Sequence, residues 1–457
     1  MLTFSSRRKS EAFDQGFILN FLYRTHANLV IRIFAKVKLE FMGWFSNEAF
    51  AAIKVKNFKY FLAYRFLMTT ATLMQSVIVG WQIYFLTKSV LLLGFIGLAE
   101  VVPQVCIALF AGHYIDIWNR KKIIMYTSLL LVLGAAILTT YSLPSLGCYA
   151  KFGITPIFIT IFITGISRGI LMPAHSAFLG QLLPRNLYTN AATWNSAVWH
   201  IAAVLGPAIG GLIYGFTGIL NAYIVAFCLF SCSIFLVTRI KNVAQPTAAS
   251  SEEGIFVRIK EGIKFVFNNQ VLLGAFSLDM FAVLFGGAVA MLPVFASDVL
   301  KVGPEGLGIL RASPAIGAIM MSFFLMFHPP VNKTGKYLFY CIAGFGLCMI
   351  CFALSRNIWL SISILILSGM FDNVSVVIRG TILQLFTTDE VRGRVAAVNS
   401  IFIGSSNELG AFESGVAARF MGLIPSVIFG GIMTLIVVGV TAVKSPVLRK
   451  LSLKHHK

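Results

Sequence analysis

The chain has 457 residues, 58% of them hydrophobic and only 12% charged, with a mean hydropathy of +0.84 and a formal charge of +20. A soluble domain carries about a quarter charged residues, so this composition excludes a soluble enzyme and makes lipid the main solvent. The basic excess is therefore read first against the membrane, where loop charge sets orientation, and no nucleic-acid partner is expected.

Residues 1–57 are basic, with Arg7, Arg8, Lys9, Arg24, Arg32, Lys36 and Lys38, and their apolar stretches are too interrupted to span a bilayer. No apolar core leads to a small-residue cleavage site, so a signal peptide is not expected. The segment reads either as a basic interfacial stretch or as an extension ahead of a start at Met42. Apolar runs of about 20 residues cross a bilayer as helices, because the backbone must satisfy its own hydrogen bonds there. Six such runs lie near 58–86, 91–112, 122–143, 153–178, 190–214 and 219–238, composing a first half over 58–238. The longest internal polar stretch follows, 239–269, with Gln245, Pro246, Ser250, Ser251, Glu252 and Glu253, and reads as a linker. Its later part separates Phe256, Ile259, Ile263 and Phe267 from Arg258, Lys260 and Lys264, the pattern of a helix lying on a membrane surface. Six more runs, near 270–297, 306–327, 336–355, 358–385, 394–418 and 422–443, compose a second half over 270–443, and 444–457 is a basic tail. The expected architecture is an all-α membrane protein of twelve transmembrane helices in two six-helix halves.

Most of the 37 Lys and Arg residues fall in loops and tails on the side of the N-terminus, whereas Lys88, Lys151, Lys301 and Arg356 fall on the other. The positive-inside rule then places both termini and the linker in the cytoplasm of a cell whose inner (plasma) membrane holds the chain. The seven cysteines are scattered in or beside apolar runs and imply no disulfide framework; Cys348 and Cys351 read as small apolar residues of a helix. His113, His175, His200 and His328 lie on different helices or ends and read as packing or interface residues. No catalytic residue, metal site or cofactor is expected, and without a G-x-x-x-x-G-K-[ST] loop an ion gradient is the expected energy source.

The halves echo one another. Asn195, Ser196, Gly206, Gly211 and Gly218 recur 204 residues later as Asn399, Ser400, Gly410, Gly415 and Gly422, and Gly165 recurs as Gly369. At an offset of 211, Gly97 and Pro103 recur as Gly308 and Pro314. Parallel repeats of this kind place a substrate site between the halves near the midplane.

At the end of the second run stands Gly112-His-Tyr-Ile-Asp116-Ile-Trp-Asn119-Arg120-Lys121-Lys122. It resembles the loop signature of the major facilitator superfamily, G-x-x-x-D-x-x-G-R-K, with Asn119 for the second glycine, a residue that tolerates a left-handed turn. The second-half counterpart, near Asn332 to Lys336, lacks the acidic residue. Over 58–443 the chain looks most like the enterobactin-exporter-like branch of drug and siderophore efflux proteins. The segments that carry this are Gly80-Trp81-Gln82 with Tyr84, Gly97-Leu-Ala-Glu100-Val-Val-Pro103, Leu205-Gly206-Pro207-Ala208, Gln384 with Arg392-Gly393-Arg394-Val395, and Ser406-Asn407-Glu408-Leu409-Gly410 leading to Glu413-Ser414-Gly415. The resemblance implies that spans one, four, seven and ten line a central cavity. It also implies a cytoplasmic gate of Gly112, Asp116, Arg120 and Lys121 against Arg392 and Arg394 at the start of span eleven.

Nine ionisable residues fall within spans: Arg65, Glu100, Arg168, Asp279, Arg311, Asp372, Arg379, Glu408 and Glu413. Each costs about 2.5–3.5 kcal/mol at a lipid-facing helix centre, so they are expected to face protein, water or one another. The repeat offsets equate Glu100 with Arg311 and Arg168 with Asp372, opposite charges that suggest cross-half pairing. Asp372 and Arg379 lie seven apart on one face of span ten. Arg65, Glu100, Arg168, Asp372, Arg379 and Glu413 are accordingly expected at the substrate cavity or the interface between halves. Asp279 has no basic residue in its own span, so it is expected to carry the exchanging proton, with Glu408 as the alternative. The expected function is that of a monomeric, proton-coupled exporter of an amphipathic small molecule by alternating access. The alternatives are an importer or lipid flippase of the same fold, or a non-transporting membrane sensor.

Overall fold

The computed structural model describes residues 50–241, 255–387 and 389–455. The expectations for the first 49 residues and for the polar part of the linker lie outside them. Twelve long helices alternate in direction: α1 (Lys56–Thr87), α2 (Val90–Ile117), α3 (Arg120–Tyr141), α4 (Thr155–Leu182), α5 (Tyr188–Thr217), α6 (Ile219–Thr238), α7 (Gln270–Val299), α8 (Gly303–Phe327), α9 (Thr334–Leu354), α10 (Ile358–Phe386), α11 (Asp389–Met421) and α12 (Leu423–Lys444). Eleven are long and apolar enough to cross a membrane. The remaining one, α11, has 33 residues and is more polar, with Asn399, Ser400, Ser405, Ser406 and Asn407 beside Glu408 and Glu413; its length and its packing against α2, α7 and α12 place it in the same bundle. A surface helix, Ile255–Asn268, precedes α7, and below, "terminal face" means the end of the bundle where α1 starts and α12 ends.

Three local features differ from the sequence reading. Helix α2 continues to Ile117, so the basic signature is not a loop, and only Trp118 and Asn119 separate it from α3. Asn119 is extended (φ −62°) rather than left-handed, and its side chain accepts from the Lys122 N–H at 3.1 Å, capping α3. Span seven is not one helix. It stops at Phe285 before Gly286 and Gly287, passes through a tight turn over Ala288–Met291 and ends in one wide turn, Phe295–Val299. A Cβ on Gly286 would lie 2.5 Å from the Phe345 ring, so close packing against α9 requires the glycine where the helix breaks.

The repeat is visible as matched contacts. In the first half α4 approaches α2 where Gly165 meets the Glu100 carbonyl and Pro103; in the second, α10 approaches α8 where Gly369 meets the Pro314 carbonyl. Lys88 after α1 and Lys301 after α7 both take up left-handed backbone, at φ 50° and 55°. The halves meet through α2 on α11 and α5 on α8. Gly94 and Gly97 lie against Gly415 and Ala411 in the first contact, and Gly308 lies against Gly211 in the second. These contacts, with Gly80 against Pro293, lie toward the face opposite the terminal face. The described conformation thus holds the halves together at that opposite face.

A side chain at Gly308 has nowhere to go, because its Cβ would meet the Pro207 carbonyl at 2.6 Å and the Gly211 Cα at 2.9 Å. Gly308→Leu should therefore push α8 from α5. In purified protein lacking its native cysteines, a reporter cysteine at Ile213 should react several-fold faster with maleimide. Gly112→Leu, where an added Cβ meets nothing within 4 Å, should leave that rate unchanged.

Candidate functional site

The charges within the bundle gather at two depths. Counted from the opposite face, Glu100 lies ten residues into α2, Arg168 thirteen into α4 and Glu408 thirteen before the end of α11. Their side chains converge: Arg168 donates through Nη1 to Glu100 within its own half and, at 2.9 Å, to Glu408 of the other. Arg311 on α8 is within electrostatic reach of both carboxylates, and its Nη1 donates to the Val289 carbonyl at 2.9 Å. That carbonyl belongs to the irregular turn of α7, so a break that frees a backbone acceptor is satisfied by a partly buried cation. The two guanidinium groups and two carboxylates sum to zero charge across the interface.

The second cluster lies in the third of the bundle next to the terminal face. Asp279 is nine residues into α7 and Arg379 seven before the end of α10, and Arg379 Nη1 meets Asp279 Oδ2 at 2.5 Å with both side chains almost wholly buried. Arg379 Nε also donates to Ser375 Oγ at 3.3 Å. Asp372, a little under one turn beyond Ser375 in depth, lines the same small cavity as Asp279, with Ser375, Phe345, Phe371 and Cys341. Asp279 thus holds the guanidinium directly, with Asp372 within its electrostatic reach. The expected partnerships are corrected here: Arg379 pairs with Asp279 instead of Asp372, and Arg168 pairs with Glu100 and Glu408 instead of Asp372.

The matching place in the first half is built differently. Arg65 is nine residues into α1 and His175 seven before the end of α4, the same depths as Asp279 and Arg379. Arg65 Nη1 donates to His175 Nδ1 at 2.5 Å and Nε to Asn195 Oδ1 on α5 at 3.3 Å. His175 Nε2 and the Tyr64 hydroxyl lie 2.9 Å apart, and that hydroxyl is 3.0 Å from Ser128 Oγ on α3. His175 is therefore no mere packing residue.

The sequence profile of the family described as transmembrane secretion effectors, within the major facilitator superfamily, matches residues 47–454. The chain belongs to that family. It is accordingly a multi-pass membrane transporter, of the superfamily that the α2 signature resembled. It is 23% identical over 384 residues to the multidrug efflux pump Tap of Mycolicibacterium fortuitum, covering 82% of this chain and 91% of that protein. It is 25% identical over 403 residues to the staphyloferrin A transporter of Staphylococcus aureus, covering 87% and 97%. The fold is also that of a solved POT family transporter in complex with 5-aminolevulinic acid, at a TM-score of 0.67 and 12% identity, covering 86% of this chain and 96% of that one.

For a transporter the remaining question is which groups join the halves at each face. At the opposite face the Tyr84 hydroxyl of α1 donates to Asp298 of α7, with the Lys88 ammonium 5.1 Å from the Tyr84 ring centre. Tyr84→Phe removes this bridge between halves, and a solvent-reached hydrogen bond of this kind contributes about 1 kcal/mol. The reporter cysteine at Ile213 should then react about five-fold faster. An unchanged rate would show that the hydroxyl does nothing to hold the face shut.

On the terminal face the signature residues act within the first half. Arg120 Nη1 donates to the Ala177 carbonyl of α4 at 3.0 Å, and Lys121 Nζ to the Ile240 carbonyl after α6 at 2.6 Å. Lys121 is thus a cation at the carbonyls that close α6, a favourable place for it. Arg394 of α11 pairs with Glu261 of the surface helix, a partner that sequence reasoning missed. The contact expected of Asp116 with the start of α11, and the side chain of Arg392, fall outside the described side chains. Glu413 is partly buried on α11 and forms no ion pair among the described residues. Gly165-Ile-Ser167-Arg-Gly169 spells a hydrolase nucleophile pattern, but Ser167 is fully buried inside α4 and not on a strand-to-helix turn.

Proposed function

We propose that this transporter exports an amphipathic small molecule of the drug or siderophore class, exchanging it for protons by alternating access. It works as a monomer in the inner membrane, with the terminal face cytoplasmic and the surface helix lying among the headgroups. The observation that carries the proton reading is the pair Asp279 and Asp372, which line one cavity among α7, α9 and α10 beside the Arg379 that Asp279 holds. Two acids and one base leave one negative charge, which a proton can cancel, and buried acids that share a cation titrate as a unit. A proton on Asp279 would then weaken its bond with Arg379, changing how α7 meets α10. Export as the direction is supported by the efflux pump among the relatives, and a siderophore-sized cargo by the staphyloferrin A transporter. The side assignment rests on the lysines and arginines of the loops.

The test is flux in proteoliposomes. A labelled amphipathic dye should accumulate in inside-out vesicles when the lumen is made acidic, and should show gradient-free counterflow. Counterflow without any response to an imposed pH gradient would remove the protons from this reading; no counterflow with any amphipathic cargo would remove export itself.

A further inference from the structure

We infer that Arg65 is an anion subsite, so that the cargo is recognised through a carboxylate or an equally planar oxyanion. This names the cargo class within the exporter reading and rests on it for the word cargo. A guanidinium offers five N–H donors and no acceptor. Arg65 uses one on His175 Nδ1 and one on Asn195 Oδ1, and no other protein acceptor takes a donor from it among the described residues. Because Arg65 can only donate, His175 Nδ1 must accept, which makes the imidazole neutral with its proton on Nε2. That proton goes to the Tyr64 oxygen, and the Tyr64 hydroxyl donates to Ser128. Every holder of Arg65 is therefore uncharged.

The equivalent place in the second half, Asp279 with Arg379, contains its own counter-ion. No carboxylate pairs with Arg65 among the described residues, and the site carries a net positive charge deep in the bundle. An uncompensated cation in a spanning segment is costly, whereas the same cation with three N–H groups unused is a ready fork for a bidentate oxyanion. The rigid holders keep the fork in place: Tyr64 and His175 are buried, and the ring of His175 packs edge-on against Phe61 and Tyr64. Lysine would keep the charge but lose the fork.

The test uses purified full-length protein and three amphipathic acids, fusidate, cholate and norfloxacin, each beside its methyl ester. The acids should raise the thermal unfolding midpoint and the esters should not. Arg65→Gln should weaken acid binding at least ten-fold, and Arg65→Lys should recover part of it. If Arg65→Gln does not fold, Asn195→Ala, which removes one holder and keeps the charge, should still weaken the acids and not the esters. Equal shifts from acids and esters, undiminished acid binding by Arg65→Gln, or no shift from any of the three acids overturns the inference. Flux separates this from the exporter reading. Esters that accumulate in response to a pH gradient, without preference for acids, leave the exporter standing and remove the subsite. Acids that bind through Arg65 but never move leave the subsite and remove the exporter.

Discussion

Asp279→Asn should abolish accumulation of cargo against its gradient while leaving gradient-free exchange close to wild type. Asparagine matches aspartate in size and can still accept a hydrogen bond from Arg379, but it cannot bind and release a proton. With one proton exchanged per neutral cargo, each unit of pH gradient sustains about ten-fold accumulation, since about 1.4 kcal/mol is a factor of ten. In the variant that ratio should fall to one at any pH gradient. The fold should survive, because Asp372 lines the same cavity and remains to balance Arg379. Removing the cation instead is a harsher change: Arg379→Leu leaves two acids buried without a base, and breaking a buried pair in this way costs about 3–5 kcal/mol. If Asp279→Asn still concentrates cargo in step with the imposed pH gradient, the carboxylate is a structural partner of Arg379 and the proton travels elsewhere, with Glu408 next to be tested.

The bundle was legible in the sequence because its cause is local. A run of about 20 apolar residues has one stable form in lipid, whichever neighbours it acquires, and ten of the twelve expected runs overlap their helices with ends shifted by a few residues or less. The ends that moved furthest are those where polar residues continue a helix: His113 to Ile117 extend α2 although they look like a loop, and Asp389 to Gly393 extend α11. Inside span seven the interruption was missed for the opposite reason. Gly286 and Gly287 are apolar by composition, and only the Phe345 ring on α9 shows why the backbone must turn there.

The charged partnerships were less legible, since they depend on depth in the membrane and not on spacing in the chain. Asp372 and Arg379 share a face of α10, yet seven residues is about 10.5 Å of rise, too far for a direct bond. The partner at the right depth is Asp279 on the neighbouring antiparallel helix. Counting residues from the same end of each helix finds this pair, and it finds Arg65 with His175 and Glu100 with Arg168 and Glu408 as well. The 204-residue offset was a second usable signal, because it maps His175 onto Arg379 and so marks the histidine as part of a matched pair.

Arg168→Leu should open the opposite face and lower stability together. Arg168 is the side chain through which α4 of the first half holds α11 of the second, and its loss leaves Glu100 and Glu408 facing each other with only Arg311 to balance them. The guanidinium side chain is 35% exposed, against 14% and 17% for the two acids, so water screens part of the cost. The expected loss is therefore about 2–3 kcal/mol, below the full cost of breaking a buried pair. Glu408→Gln should do less, since a neutral amide oxygen still accepts from Arg168 and Glu100 still holds the charge. The decisive variant combines Arg168→Leu with Glu100→Gln and Glu408→Gln. If repulsion between unpaired acids is the cause, the triple variant should regain most of the unfolding midpoint lost by Arg168→Leu, yet its reporter cysteine at Ile213 should stay fast, because the bond between halves is still missing. A triple variant as unstable as Arg168→Leu would mean that the arginine stem fills space between α2 and α4 and that its charge is incidental. A slow reporter in Arg168→Leu would mean that the glycine contacts of α2 on α11 and of α5 on α8 hold the face closed without help from the ion cluster.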